Sequence, residues 1–315
     1  GVLLLGDAGS SALIQSLHEV ISITGVGGVS SNNSRGIAVD GRDFKVLSSS
    51  GAITLTDSRA VGRNSYSGMY LRPATGGSGI LFGSDGSTVL SGASTASSSN
   101  VSILADNLTF ADDTSTIRTT GDVVVASNLT SFEAALSTAS LAITGDPSSV
   151  RIGNINNSAN LTLGAISAAG PIAAYGGDIA VNGNLTATSN GADILLKALG
   201  NISTADNRTI TTNNGDIVFW ADTDADNVGS IALGSSNALN SANGSTTSGL
   251  SGGGQIVLAG GADDGVIGGV ASDGIPDGYA QSSSSNGLKL GVSTANHNEM
   301  YSGGGDIILR GKSTA

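Results

Sequence analysis

Polar and apolar residues alternate along most of this chain in runs too short for helices. One phrase recurs: a glycine or small residue, often an aspartate, then alternating β-branched and aliphatic residues. It reads Gly51-Ala-Ile-Thr-Leu-Thr56, Gly121-Asp-Val-Val-Val125, Gly177-Asp-Ile-Ala-Val181 and Ala192-Asp-Ile-Leu-Leu196. It returns as Gly215-Asp-Ile-Val-Phe219, Gly229-Ser-Ile-Ala-Leu233, Gly254-Gln-Ile-Val-Leu258 and Gly305-Asp-Ile-Ile-Leu309. A second phrase, Asn-apolar-Thr/Ser, starts at Asn107, Asn128, Asn160, Asn184 and Asn201, and a third, Asn-Ser then Gly and an alternating run, spans 33–39 and 64–71. Period-two runs bounded by turn formers predict short strands. Only Ala12–Val20, with Leu13, Leu17 and Val20 on one helical face, predicts a short helix or a loop.

Spacings of 14 to 32 residues between similar phrases lie near the period of a β-solenoid coil. Stacked coils pair strands about 4.8 Å apart, put Ile, Leu, Val and Ala inside, and need Gly or Asn at corners. The predicted fold is all-β: a parallel β-helix, one elongated rod with loop excursions near 57–79, 84–100, 235–252 and 261–286. Residues 1–50 are the less regular part of a single domain over 1–315, and 51–315 hold the repeat coils. At roughly 20–24 residues per coil the chain makes about 13–16 coils. The pattern is cut at both ends, so the chain is expected to be a segment of a longer protein or a fibre subunit, stacked end to end on its own kind or continued by more coils.

Composition agrees and narrows the function. The 315 residues include 48 Gly, no Cys and 3% aromatics, with 39% hydrophobic and only 12% charged residues, enough apolar matter for a core of small side chains. Thirteen cations against 25 acids leave a net charge of −12 with no basic run, which argues against nucleic acid and anionic membranes as partners. No run approaches the ~20 apolar residues of a membrane-spanning helix. Without Cys there are no disulfides, thiolate metal sites or thiol nucleophiles.

The Gly-Asp-Ile and Asn-Leu-Thr phrases resemble the filamentous-haemagglutinin type of bacterial surface protein, which includes two-partner-secretion exoproteins, autotransporter passengers and β-strand-repeat adhesins. The likeness covers about 115–310 well and 20–110 more loosely. It implies a right-handed parallel β-helix exported by a Gram-negative cell to the extracellular surface, serving adhesion or biofilm. Partners would be surface glycans or proteins of a host or a neighbouring cell. No secretion-domain signature is present.

Candidate chemistry is sparse. His18 and His297 stand far apart and read as solvated loop residues, and Gly311-Lys312-Ser313 lacks the glycine and the helix of a phosphate loop. Asp222, Asp224 and Asp226 have the alternate spacing that opens a calcium loop, although Asn227 and Leu233 replace its glycine and final glutamate. Asp263, Asp264, Asp273 and Asp277 form a second candidate calcium group, with turn capping and surface solubility the plainer role for both. A calcium-binding repeat module is therefore one alternative function. A β-helical polysaccharide lyase or hydrolase is the other, since Trp220 beside Asp222 is where a sugar-stacking ring and carboxylates coincide. No catalytic residue is assigned. Ten Asn-x-Ser/Thr triplets (Asn32, Asn100, Asn107, Asn128, Asn156, Asn160, Asn184, Asn201, Asn207 and Asn243) are either glycosylation acceptors or asparagines stacked in hydrogen-bonded ladders.

Overall fold

The computed structural model describes residues 1–6, 12–27, 35–41, 43–59, 68–73, 79–84, 97–111, 114–243, 252–266, 269–282, 286–291 and 297–313. These contain strands, bends and turns and no helix, and the chain divides into two compact units, Gly1–Ala159 and Asn160–Ala315. Each unit is a parallel β-helix, as the phrase pattern predicted.

In the first unit, one wall stacks Ile21–Gly27, Ile53–Arg59, Val101–Leu104, Asp122–Ala126 and Ser149–Ile152. A second stacks Ala12–Ser16, Asp43–Ser48, Gly79–Gly83, Ser115–Arg118 and Leu141–Thr144, and a third stacks Val2–Gly6, Ile37–Gly41, Met69–Pro73 and Leu108–Phe110. The strands are parallel and in register, so like residues pile up. Ile21, Ile53, Val101, Val123 and Val150 form one inward column, and Ile23, Leu55, Ile103, Val125 and Ile152 the next. Parallel pairing of this kind buries aliphatic side chains against like neighbours without strict complementarity in size, which is why β-branched residues dominate.

The second unit repeats the plan. Ile172–Gly176, Ile194–Ala198, Ile217–Ala221, Ile256–Gly260 and Ile307–Leu309 make one wall, with Ile172, Ile194, Ile217, Ile256 and Ile307 in one column. From Ile172 to Ile194 is 22 residues, the expected coil length. From Ile217 to Ile256 is 39, because a longer excursion intervenes. Such excursions absorb chain, so each unit has five coils among the described residues and the count falls short of the 13–16 expected.

The corners explain the recurring phrases. Asn160 Oδ1 accepts the N–H of Asp178 at 2.8 Å, Asp178 Oδ1 that of Asn201 at 2.7 Å, and Asn201 Oδ1 that of Ser230 at 2.9 Å. Each residue precedes the same strand in successive coils. At the next wall Asp193 Oδ1 accepts from Asp216 N and Asp216 Oδ1 from Gln255 N, both at 2.7 Å. A short side chain ending in an acceptor is needed once per coil, and Asn or Asp fits. Glycine precedes it because coils approach closely there: a Cβ on Gly215, Gly254 or Gly305 would lie 2.1–2.3 Å from a carbonyl oxygen of the neighbouring coil. Asn100, Asn160, Asn184 and Asn201, four of the ten triplet asparagines, thus serve in ladders.

Two expectations need correction. Ala12–Ser16 is a strand, not a helix or loop, because five residues pair in parallel with Phe44–Ser48 across the stack. Residues 57–79 are not wholly an excursion: Met69–Pro73 is a wall strand with Met69 and Leu71 in the core. Residues 60–67 and 74–78 of that excursion, most of 84–100, 244–251 of the third and 267–268 and 283–285 of the fourth lie outside the described residues, as do the Asn-Ser starts of the 33–39 and 64–71 phrases.

Candidate functional site

The second unit departs from the plain coil at Ile217–Ala221 and Ile256–Gly260, whose residues are buried at every position. Inward residues Ile217, Phe219, Ile256 and Leu258 fill the core. The outward ones, Val218, Trp220, Val257 and Ala259, form a second apolar cluster against Leu195, Ile275 and Ile308. Its cover comes from residues 261–266 and 269–278, which leave the wall at Gly261 and fold back so that Ile275 caps the cluster. Trp220 Nε1 donates to Gly261 O at 2.7 Å, and Lys197 Nζ lies 3.7 Å from the centre of the Trp220 ring. Burial lowers the Lys197 ammonium pKa, opposed by the nearby charge of Asp263. Trp220 is only 6% exposed, so it offers no open face to a sugar ring.

The chain turns out of Ile217–Ala221 through Asp222, Ala225 and Asn227, each with positive φ. This turn gathers Asp222, Asp224 and Asp226, whose carboxylate oxygens lie within 4.8 Å of one another. Asp222 is buried, while Asp224 and Asp226 are exposed. Asp222 Oδ1 accepts from Asn227 N at 3.2 Å, and Asp226 Oδ1 from Val228 N at 2.8 Å. Desolvation first, then the charges of Asp226 and Asp224, push the Asp222 carboxyl up to about 6 against the opposing backbone hydrogen bonds. Crowded carboxylates with one buried member favour a proton or a hard cation among them.

The second aspartate group is arranged differently. Asp263 accepts from Asp273 N at 3.3 Å and Gly274 N at 2.9 Å; Asp264 accepts from Val266 N at 3.0 Å; Asp273 accepts from Ile275 N at 2.9 Å. Buried Asp277 accepts from Gly265 N at 2.6 Å and sits 3.8 Å from Arg310 Nη1, which also donates to Pro276 O at 2.9 Å. These carboxylates cap the turns that hold the loop down. Among the described residues, Asp222, Asp224 and Asp226 are the one group of three metal-type side chains that converges. Of the histidines, exposed His18 shares a hydrogen bond with Ser50 Oγ, and exposed His297 pairs with Glu299.

Sequence reasoning overlooked Lys197, which lies against the Trp220 ring, and Arg310, which holds the loop through Pro276 and Asp277. The available signal was the absence of alternation in Ile217-Val-Phe-Trp-Ala221 and Gln255-Ile-Val-Leu-Ala-Gly260, since a strand apolar on both sides must be covered on both. Comparison of the chain with models of protein families, with curated proteins and with solved structures finds no match.

Proposed function

We propose that this chain is a structural component of a bacterial cell surface, an adhesin or matrix element built from stacked β-coils. The observation that carries this reading is the uniformity of the coil. The aliphatic columns recur from coil to coil, Asx ladders run along several walls, and the residues that depart from them serve mostly to pin a loop. This investment suits a protein that holds a surface out at length. The Gly-Asp-Ile and Asn-Leu-Thr phrases that make the ladders also carry the likeness to filamentous-haemagglutinin-type proteins. Its partners on this reading are further coils of the same protein, and glycans or proteins of host or neighbouring cells. The test is immunogold electron microscopy of native cells with antibody raised against the purified chain. Gold on extracellular rods or fibres is expected, and label confined to the cell interior overturns the reading.

A second reading is favoured by the convergence of Asp222, Asp224 and Asp226: calcium held at this turn as a structural ion. An ion bound by the native state alone stabilises it. Chelator is then expected to lower the thermal unfolding temperature of the wild type and leave that of D224N/D226N unchanged. Identical wild-type melting with calcium and with chelator reduces the trio to a turn.

A further inference from the structure

Proline occurs four times in the chain, and once it follows an aspartate, at Asp146-Pro147. The pair lies at a corner of the first unit, between the wall strands Leu141–Thr144 and Ser149–Ile152. Gly145 and Asp146 both have positive φ, 89° and 58°. A proline already restricts the backbone of the residue before it, so a non-glycine residue held left-handed at that position is strained. The corner is fixed from both sides. Thr119 N donates to Thr144 O at 3.1 Å, and Ser148 N donates to Thr120 O and Gly121 O, each at 3.1 Å. Ser148 Oγ also donates to Asp122 Oδ1 at 2.7 Å, and Pro147 is buried. The backbone around Asp146 is therefore tied down on either side and cannot swing to relax it.

Asp146 itself is exposed, and its carboxylate has no hydrogen bond or ion pair among the described residues. Other corner aspartates are occupied: Asp178, Asp193 and Asp216 each accept a backbone N–H of the next coil. A free carboxylate next to its own peptide carbonyl can attack it and close a succinic anhydride ring, an intramolecular reaction that needs no encounter between partners. In most peptide bonds the amide nitrogen leaves too poorly for this to proceed. A proline nitrogen is tertiary, with no N–H, and takes the proton that makes it a leaving group more readily than a secondary amide does. Asp146-Pro147 thus joins a strained backbone, an idle nucleophile and a favourable leaving group at one bond.

We propose that this corner is a self-cleavage site, at which the Asp146 carboxylate cuts the chain before Pro147 and leaves a two-chain protein whose parts stay paired. A bond forms from an Asp146 carboxylate oxygen to the Asp146 carbonyl carbon, and the bond from that carbon to Pro147 N breaks. The Pro147 nitrogen keeps the electron pair and takes a proton from solvent. Water then opens the anhydride and leaves Asp146 with two carboxyl groups, so the net change is the addition of one water and no other reactant is required. The fragments are held together by strands already on the page. Leu141–Thr144 stays paired with Ser115–Arg118 inside Gly1–Asp146, and Ser149–Ile152, now near the start of Pro147–Ala315, stays paired with Asp122–Ala126 of the other fragment. The cut goes beyond the surface reading above and does not rest on it.

Incubation of the full chain in weak acid, folded and in parallel unfolded in urea, tests it by intact mass and N-terminal sequencing. Fragments Gly1–Asp146 and Pro147–Ala315 are expected, and at least about tenfold faster from the folded chain than from the unfolded one, since the fold supplies the local strain that the cut releases. Asp146→Asn, which adopts positive φ as readily as aspartate, is expected to stay whole with a wild-type circular dichroism spectrum. The cut wild type is expected to elute from a sizing column as one species in native buffer and as two in urea. A folded chain that stays whole, or that is cut no faster than the unfolded one, overturns the proposal. Equal cutting of Asp146→Asn also overturns it, because the carboxylate then plays no part. Fragments that separate in native buffer overturn the pairing of the two parts. Whether the protein stands on a cell surface is decided separately by the gold label.

Discussion

Ile194–Ala198 and Ile217–Ala221 are hydrogen-bonded neighbours in one wall, yet the first alternates buried and half-buried residues and the second is buried throughout. Their inward residues do the same work. Ile194 and Leu196 stack on Ile217 and Phe219 in shared columns. They differ outward, where Leu195 and Lys197 form the margin of a cluster whose centre is Val218 and Trp220. A solenoid wall is thus a neutral platform. What it becomes on its outer side depends on whether a distant excursion, here 261–278, comes back to cover it. The inner columns supply stability and the outer cluster supplies individuality.

The largest expected effect lies on the inner side. Phe219 is fully buried between Leu196 and Leu258 in its column. Phe219→Ala removes a ring from the core and is expected to cost about 3–5 kcal/mol, measured by equilibrium urea unfolding of the full chain. A cost below about 1 kcal/mol would mean that the column collapses onto the vacancy and that the inner side is as adaptable as the outer.

A smaller and local effect is expected outward. Trp220→Phe keeps most of the apolar surface but deletes the donor to Gly261 O, leaving that buried carbonyl without its 2.7 Å bond. The expected loss is about 1–2 kcal/mol. Hydrogen exchange should quicken in 261–278 and stay slow in Ile194–Ala198. Equal quickening in both would show that loop and wall open as one unit and that the division between them is false.

The same division decides what could be read in the sequence. The coil was legible because its demands repeat: Asn160, Asp178 and Asn201 occupy equivalent corners, so one ladder bond is written several times. The outer cluster was not, because nothing near Trp220 in sequence announces that Ile275 will cover it. Ala12–Ser16 was misread for a related reason. The spacing of Leu13, Leu17 and Val20 is local, whereas the pairing of Ala12 with Phe44 spans 32 residues and outweighs it. Among the aspartates, alternate spacing did mark Asp222, Asp224 and Asp226, which converge. Asp263 and Asp273 have their oxygens on backbone N–H groups of their own loop, a use that spacing alone does not reveal.

The smallest effect concerns the boundary between wall and turn, where Asp222 ends one and begins the other. Its carboxyl is raised to about 6 in the folded chain, chiefly by burial and then by Asp226 and Asp224, against about 3.9 in an unfolded chain. Between those values the folded state keeps a proton that the unfolded state has released. Asp222 therefore costs the fold nothing below about pH 4, and its penalty grows as pH rises through about 6. Asn at this position retains an oxygen to accept from Asn227 N but has no charge to desolvate. In chelator, Asp222→Asn is expected to match the wild type in urea midpoint at pH 4 and to exceed it at pH 7. A constant difference at both values would show that solvent reaches the Asp222 carboxylate. The turn would then belong with the exposed excursions and not with the buried wall.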